Sequence, residues 1–211
     1  LPTVVAPTII TTDELRALLD VPNTSNPTGL RNRAIIAAMG FGGLRVGEVT
    51  RLTLQDIYLG VGAMRLALRN PGGDVDRQVT VAGDGAAILG DWLAGRAALE
   101  IPGGHVFCTV DRGGRRGPGQ PTRKQYIQEM VPRLGRRAGI NQHLTCTTLR
   151  TTAAALRLAG GDSHAEVAEF LGLHDPRYAR LFVWGVARLV EGAKWTLHPD
   201  GDGRWVLHPD E

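Results

Sequence analysis

Lysine is nearly missing from this 211-residue sequence. Of 24 basic residues only Lys124 and Lys194 are lysines, and the other 22 are arginines. Cysteine is reduced to Cys108 and Cys146, which are too few and too far apart for a disulfide framework or a zinc site. That excludes the disulfide-stapled and thiolate-metal classes and leaves a reducing, cytoplasmic setting as the expectation. Aromatics make up 5% of the chain, too few for the stacking platforms that bind single strands. No apolar run reaches the roughly 18–20 residues of a membrane-spanning helix, so no membrane partner is expected. Leu1 to Ile10 lack the charged, apolar and cleavage regions of a leader, and the chain does not open on Met, as in a piece of a longer protein.

What is present is ordinary globular material, 43% hydrophobic and 21% charged, enough for one good-sized domain or a domain with an extension. The charge is unevenly spread. Residues 112–137 carry Arg112, Arg115, Arg116, Arg123, Lys124, Arg133, Arg136 and Arg137 against one acid, Glu129, a net of +7. From Glu191 onward the chain is acidic, which leaves residues 1–190 at +6. A solvated face is the alternative, and a GC-rich genome would also favour arginine codons. One-sided runs of arginine, whose planar fork suits phosphate, nevertheless point to a polyanion, with double-stranded DNA the expected partner.

The periodicity predicts a mainly helical fold holding one small antiparallel sheet. Thr11-Thr12-Asp13-Glu14 reads as a capping box ahead of a short helix with Leu15, Leu18 and Leu19 inward. Further helices are predicted at about 30–39, 46–52, 84–98, 122–138, 148–159, 163–172 and 177–191. Alternation at 64–69 and 77–81, around the turn Asn70-Pro71-Gly72-Gly73-Asp74, predicts a hairpin, and His105–Val110 reads as another short strand. At the end, Trp195-Thr-Leu-His-Pro-Asp200 recurs as Trp205-Val-Leu-His-Pro-Asp210, which predicts a small hairpin or two extended segments.

Two arginines stand where a helix start would favour an anion. Arg45 follows Gly42-Gly43-Leu44 and precedes Val46-Gly47-Glu48-Val49; Arg150 lies in Thr147-Thr148-Leu149-Arg150-Thr151-Thr152 before an apolar run. Together they could clamp one phosphate. The competing reading pairs Arg45 with Glu48 or Asp56, and Arg150 with an acid such as Asp56.

Asn32-Arg33-Ala34-Ile35-Ile36 through Gly43-Leu44-Arg45-Val46-Gly47-Glu48-Val49 and Leu52-Thr53-Leu54-Gln55-Asp56-Ile57 resembles the first conserved box of the tyrosine recombinases, the phage integrase family. Ala138-Gly139-Ile140, Leu149-Arg150-Thr151-Thr152, Leu158-Ala159-Gly160-Gly161-Asp162 and Val167-Ala168-Glu169-Phe170-Leu171-Gly172 are similar to the second. The resemblance covers about residues 8–186. It implies the tyrosine-recombinase catalytic-domain fold over residues 1–190, followed by a tail at 191–211. It also implies a reaction without metal or cofactor: a tyrosine attacks the phosphodiester, two arginines stabilise the phosphorane, and a lysine and two histidines handle protons.

Carried over residue by residue, the resemblance keeps Arg45 and Arg150 as the clamp and loses the rest. Thr147 stands where the first histidine is expected. Leu173 stands at the second, with His174 one place late, and Phe182 falls on the nucleophile. The hairpin has no lysine; Arg69 and Arg77 are cations there, and neither readily releases a proton. Tyr178, one helical turn before Phe182, is the alternative nucleophile, with His143 a stand-in base. DNA contacts are expected from Arg69, Arg77, Arg112, Arg115, Arg116, Arg123 and Lys124. The leading expectation is a DNA-binding member without strand cleavage, acting in recombination or integration beside itself or another recombinase protomer. The alternatives are an active enzyme using Tyr178 and a protein-interaction module that has lost DNA.

Overall fold

Local sequence starts most of the helices. In the computed structural model, which describes residues 8–110 and 117–173 and the backbone of 195–199 and 205–209, the Thr11 hydroxyl accepts from the Glu14 N–H at 3.1 Å. The Glu14 carboxylate returns the bond to the Thr11 N–H at 2.8 Å, completing the predicted box at the start of α1 (Thr12–Asp20). Helix α2 (Pro27–Gly40) begins three residues earlier than predicted, because Asn26 caps it and Pro27 occupies its first turn. Helix α3 (Val46–Arg51) is short, and a 3-10 turn at Leu54–Asp56 leads into the sheet.

The sheet is a three-stranded antiparallel meander, β1 (Ile57–Gly60), β2 (Ala63–Arg69) and β3 (Val75–Ala82), with β2 in the centre. The predicted hairpin is β2–β3, in register through Leu66 opposite Val79 and irregular at Leu68/Arg69. Helix α4 (Gly83–Ala98) follows, then α5 (Lys124–Arg137), α6 (Cys146–Ala159) and α7 (His164–Leu171). The repeated Trp segments form β4 (Trp195–Pro199) and β5 (Trp205–Pro209), paired antiparallel with Leu197 opposite Leu207.

Helix α2 is the axis of the core. Ala34, Ile35, Ile36, Ala37, Ala38 and Met39 are all buried, so the helix is enclosed on every side and lacks an amphipathic stripe. It packs against α1, α4 and α6, and the sheet lies against α4 and α7. The segment predicted as a strand at His105–Val110 bends at 106–107 and makes only isolated bridges, Thr53 with His105 and Cys108 with Pro121. Its neighbours are irregular chain: the Val106 N–H reaches the Leu52 carbonyl, and the Thr109 N–H that of Gln120. The run Val106-Phe107-Cys108 is apolar because it is a core plug, fully buried, with the Trp92 indole N–H donating to the Val106 carbonyl at 2.9 Å.

Several arginines act as internal staples. Arg31 donates to the Cys108 carbonyl at 3.0 Å and lies over the Tyr126 ring, and Arg96 donates to the carbonyls of His105 and Gly103. Both are buried. Part of the arginine excess therefore replaces missing secondary structure with fixed side-chain bonds to loops.

Candidate functional site

The two boxes meet at the end of α7. Arg45 is the N-cap of α3, in extended backbone conformation, so its side chain leaves the helix start. Arg150 sits a full turn inside α6, whose Thr145 cap places the helix start at Cys146. The expectation that Arg150 lies in a first turn is thereby corrected: the tertiary neighbours, and no helix dipole, set its surroundings.

The guanidinium of Arg45 donates to the carbonyls of Leu171 at 3.1 Å and Gly172 at 3.0 Å. That of Arg150 donates to Leu171 as well, and to the carbonyl of Gly43. Gly43 adopts φ +62°, and a Cβ there would stand 2.8 Å from the Phe170 ring, so a glycine is required for this turn to reach α7.

Beneath the pair lies Glu48, 4% exposed, which carries the electrostatics of the site. Its carboxylate accepts from the Arg45 N–H at 2.6 Å and the Arg45 guanidinium at 3.0 Å. Arg77 of β3 bonds both of its oxygens, one at 3.1 Å, and donates through Nε to the Phe170 carbonyl at 2.8 Å. Burial works against the charge on Glu48, but the bonds and positive charge of Arg77 and then Arg45 outweigh it, so the carboxyl stays below its ordinary range. The Arg150 guanidinium is pushed down to about 9, first by burial and then by repulsion from Arg45 and Arg77. Asp76, half-exposed, adds a second carboxylate 3.9 Å from Arg45 and 3.7 Å from Arg77, so two carboxylates stand against three guanidinium groups and leave a net positive charge that an incoming anion would balance.

The competing pairing of Arg45 with Glu48 thus coexists with the clamp geometry. Arg150, by contrast, forms no ion pair among the described residues and feels Glu48 only at longer range; Asp56 is taken by Thr53 and by Arg69 at 2.6 Å. Arg77, expected on DNA, is 8% exposed, with its guanidinium engaged by Glu48, the Phe170 carbonyl and, at 3.7 Å, Asp76. Strand alternation carries that signal, since Arg77 shares a face with the buried Val79 and Val81. Arg69 is half-exposed but ties Asp56 to the Gly73 carbonyl across the hairpin turn. Arg123 and Lys124 are exposed at the start of α5. Thr147 is exposed three residues before Arg150, His143 is exposed in the preceding loop, and Leu173 packs against the core. Arg112, Arg115, Arg116, His174, Tyr178 and Phe182, and the helix predicted at 177–191, lie outside the described residues. What the sequence reading missed is Glu48 as the hub; its position three residues after Arg45 gave it only as one possible partner.

The phage integrase family profile matches residues 8–182. The chain is 31% identical over 194 residues to tyrosine recombinase XerD of Halalkalibacterium halodurans, covering 92% of this chain and 62% of that protein. Among solved structures it resembles the XerA recombinase, with TM-score 0.70, 25% identity, and 83% and 58% of the two chains covered. It also resembles the XerH site-specific recombinase bound to a palindromic difH substrate, a post-cleavage complex, with TM-score 0.71, 22% identity, and 86% and 50% covered. The chain spans about three fifths of the length of the XerD relative it matches. With Arg45 and Arg150 converging at the end of α7 and this match over most of its length, the chain belongs to the phage integrase family and has the catalytic-domain fold of the tyrosine recombinases.

Proposed function

We propose that this domain binds duplex DNA in recombination or integration, seats a backbone phosphate on Arg45 and Arg150, and does not cleave the strand. The convergence of those two guanidinium groups on one carbonyl carries the reading, because a carbonyl oxygen there occupies the place of a phosphate oxygen. The +7 stretch at 112–137 supplies the long-range attraction, with Arg123 and Lys124 exposed within it. Residues 1–190 form the DNA-binding unit in this reading, 191–211 its tail, and its protein partner is a second recombinase protomer.

Loss of cleavage rests on chemistry. Phe182 has no oxygen to attack phosphorus, Thr147 and Leu173 replace the two histidine positions, and the hairpin has no lysine to give up a proton. The test is incubation with nicked suicide duplexes, followed by denaturing electrophoresis. No covalent protein–DNA adduct is expected. An adduct abolished by Tyr178→Phe would establish the enzyme with a displaced nucleophile and overturn this reading. Binding with no dependence on salt would point to an interaction module instead.

A further inference from the structure

We infer that Arg51 and Lys124, brought together over Gly47, form a second anion subsite that takes a DNA backbone phosphate beside the one on the Arg45–Arg150 clamp. Gly47 is two residues past Arg45 in α3. The point where a Cβ of Gly47 would stand is 3.1 Å from Arg51 Nη1 and 3.6 Å from Lys124 Nζ. Both cationic heads therefore lie over the same bare stretch of backbone, within about 7 Å of each other, where like charges repel.

Among the described residues no acid answers them. Several other cations do have a carboxylate: Arg45 and Arg77 share Glu48, Arg69 has Asp56, and Arg157 has Asp162. Among the described residues Arg51 and Lys124 form no ion pair, and Lys124 forms no hydrogen bond. Arg51 makes one bond, from Nη2 to the Arg69 carbonyl at 3.2 Å, and its Nε is buried without an acceptor. Lys124 is also the first residue of α5, after an Arg123 N-cap that makes no capping bond, so the positive end of a 14-residue helix adds to the same potential.

A planar fork and a mobile ammonium around a residue without a side chain are the elements that recognise phosphate oxygens, and Lys124 is exposed to receive them. Arg45 heads the same short helix, so DNA seated on the clamp passes this point. The inference rests on that reading of the clamp.

The experiment measures affinity for a duplex of about 30 base pairs against salt for the wild type, Arg51→Gln, Lys124→Gln, the double variant and Arg45→Ala, with thermal melts to confirm folding. The double variant is expected to lower the slope of log K against log salt by about one unit, and each single variant by nearly as much, because both residues hold one phosphate. A double variant that keeps the wild-type slope, while Arg45→Ala loses affinity, would overturn the subsite and leave the clamp standing. A loss of two units would overturn it by assigning separate phosphates. Competition by inorganic phosphate beyond that of chloride at equal ionic strength, absent in the double variant, would make it a free-anion site instead. Salt-independent wild-type binding would overturn both subsite and clamp.

Discussion

Arg45 and Arg150 come from opposite halves of the chain, yet both donate to one atom, the carbonyl oxygen of Leu171. Arg77 takes the carbonyl just before it, at Phe170, and Arg45 the one just after, at Gly172. These are carbonyls at the end of α7, left without helical partners and carrying the negative end of its dipole. The helix terminus therefore fills the acceptor role that the reading above gives to a phosphate. It also couples the clamp directly to the chain that leads on to Phe182.

An added dianion should compete for these donors and be held by them. Sulfate is expected to raise the melting temperature above that in chloride at equal ionic strength, by about 2–4 °C for each kcal/mol of binding. The increment should vanish in Arg45→Ala and in Arg150→Ala, as read by differential scanning calorimetry. An equal response in wild type and variants would show that the ion acts elsewhere.

Glu48 sets a pH dependence of stability. Its folded-state pKa is lowered, so its contribution is present above the unfolded value, near 4.5, and disappears as pH falls through the folded value. Glu48→Gln is expected to flatten the acid limb of a stability–pH curve. At neutral pH it should cost about 3 kcal/mol, because the buried Arg77 would keep only its longer pair with the half-exposed Asp76. A variant curve parallel to wild type below pH 5 would contradict the assignment.

Gly43→Ala is expected to destabilise the fold by about 1–2 kcal/mol from the left-handed backbone alone. The 2.8 Å approach to Phe170 adds a clash that moves α7. Since the Gly43 carbonyl accepts from Arg150, DNA affinity should fall along with stability. Gly62→Ala is the control: it has a similar φ, +67°, but nothing within 4 Å, so it should lower stability without changing affinity.

Much of this was readable along the chain. The capping box of α1 was evident in Thr11 and Glu14, and the β2–β3 hairpin in its alternation and its Pro-Gly-Gly turn. Both are local signals, decided by residues a few positions apart. The start of α2 was misjudged because Asn26-Pro27 carries two meanings, a loop and a helix cap. The strand expected at 105–110 failed because full burial produces the same apolar run whether or not a neighbouring strand exists to pair with it.

The sequence by itself determined the helical class, the small sheet, the uneven positive charge and the two arginines in their boxes, because each depends on residue type and short-range spacing. Tertiary structure alone decided what each arginine does. Arg77 and Arg45 are both basic residues beside turns, but folding buries the first against Glu48 and leaves the second 42% exposed at the end of α7. Guanidinium groups act at the far end of long side chains. Which carbonyl, carboxylate or phosphate they meet is fixed by elements that come together only when Gly43, Glu48 and Leu171 are packed into one place.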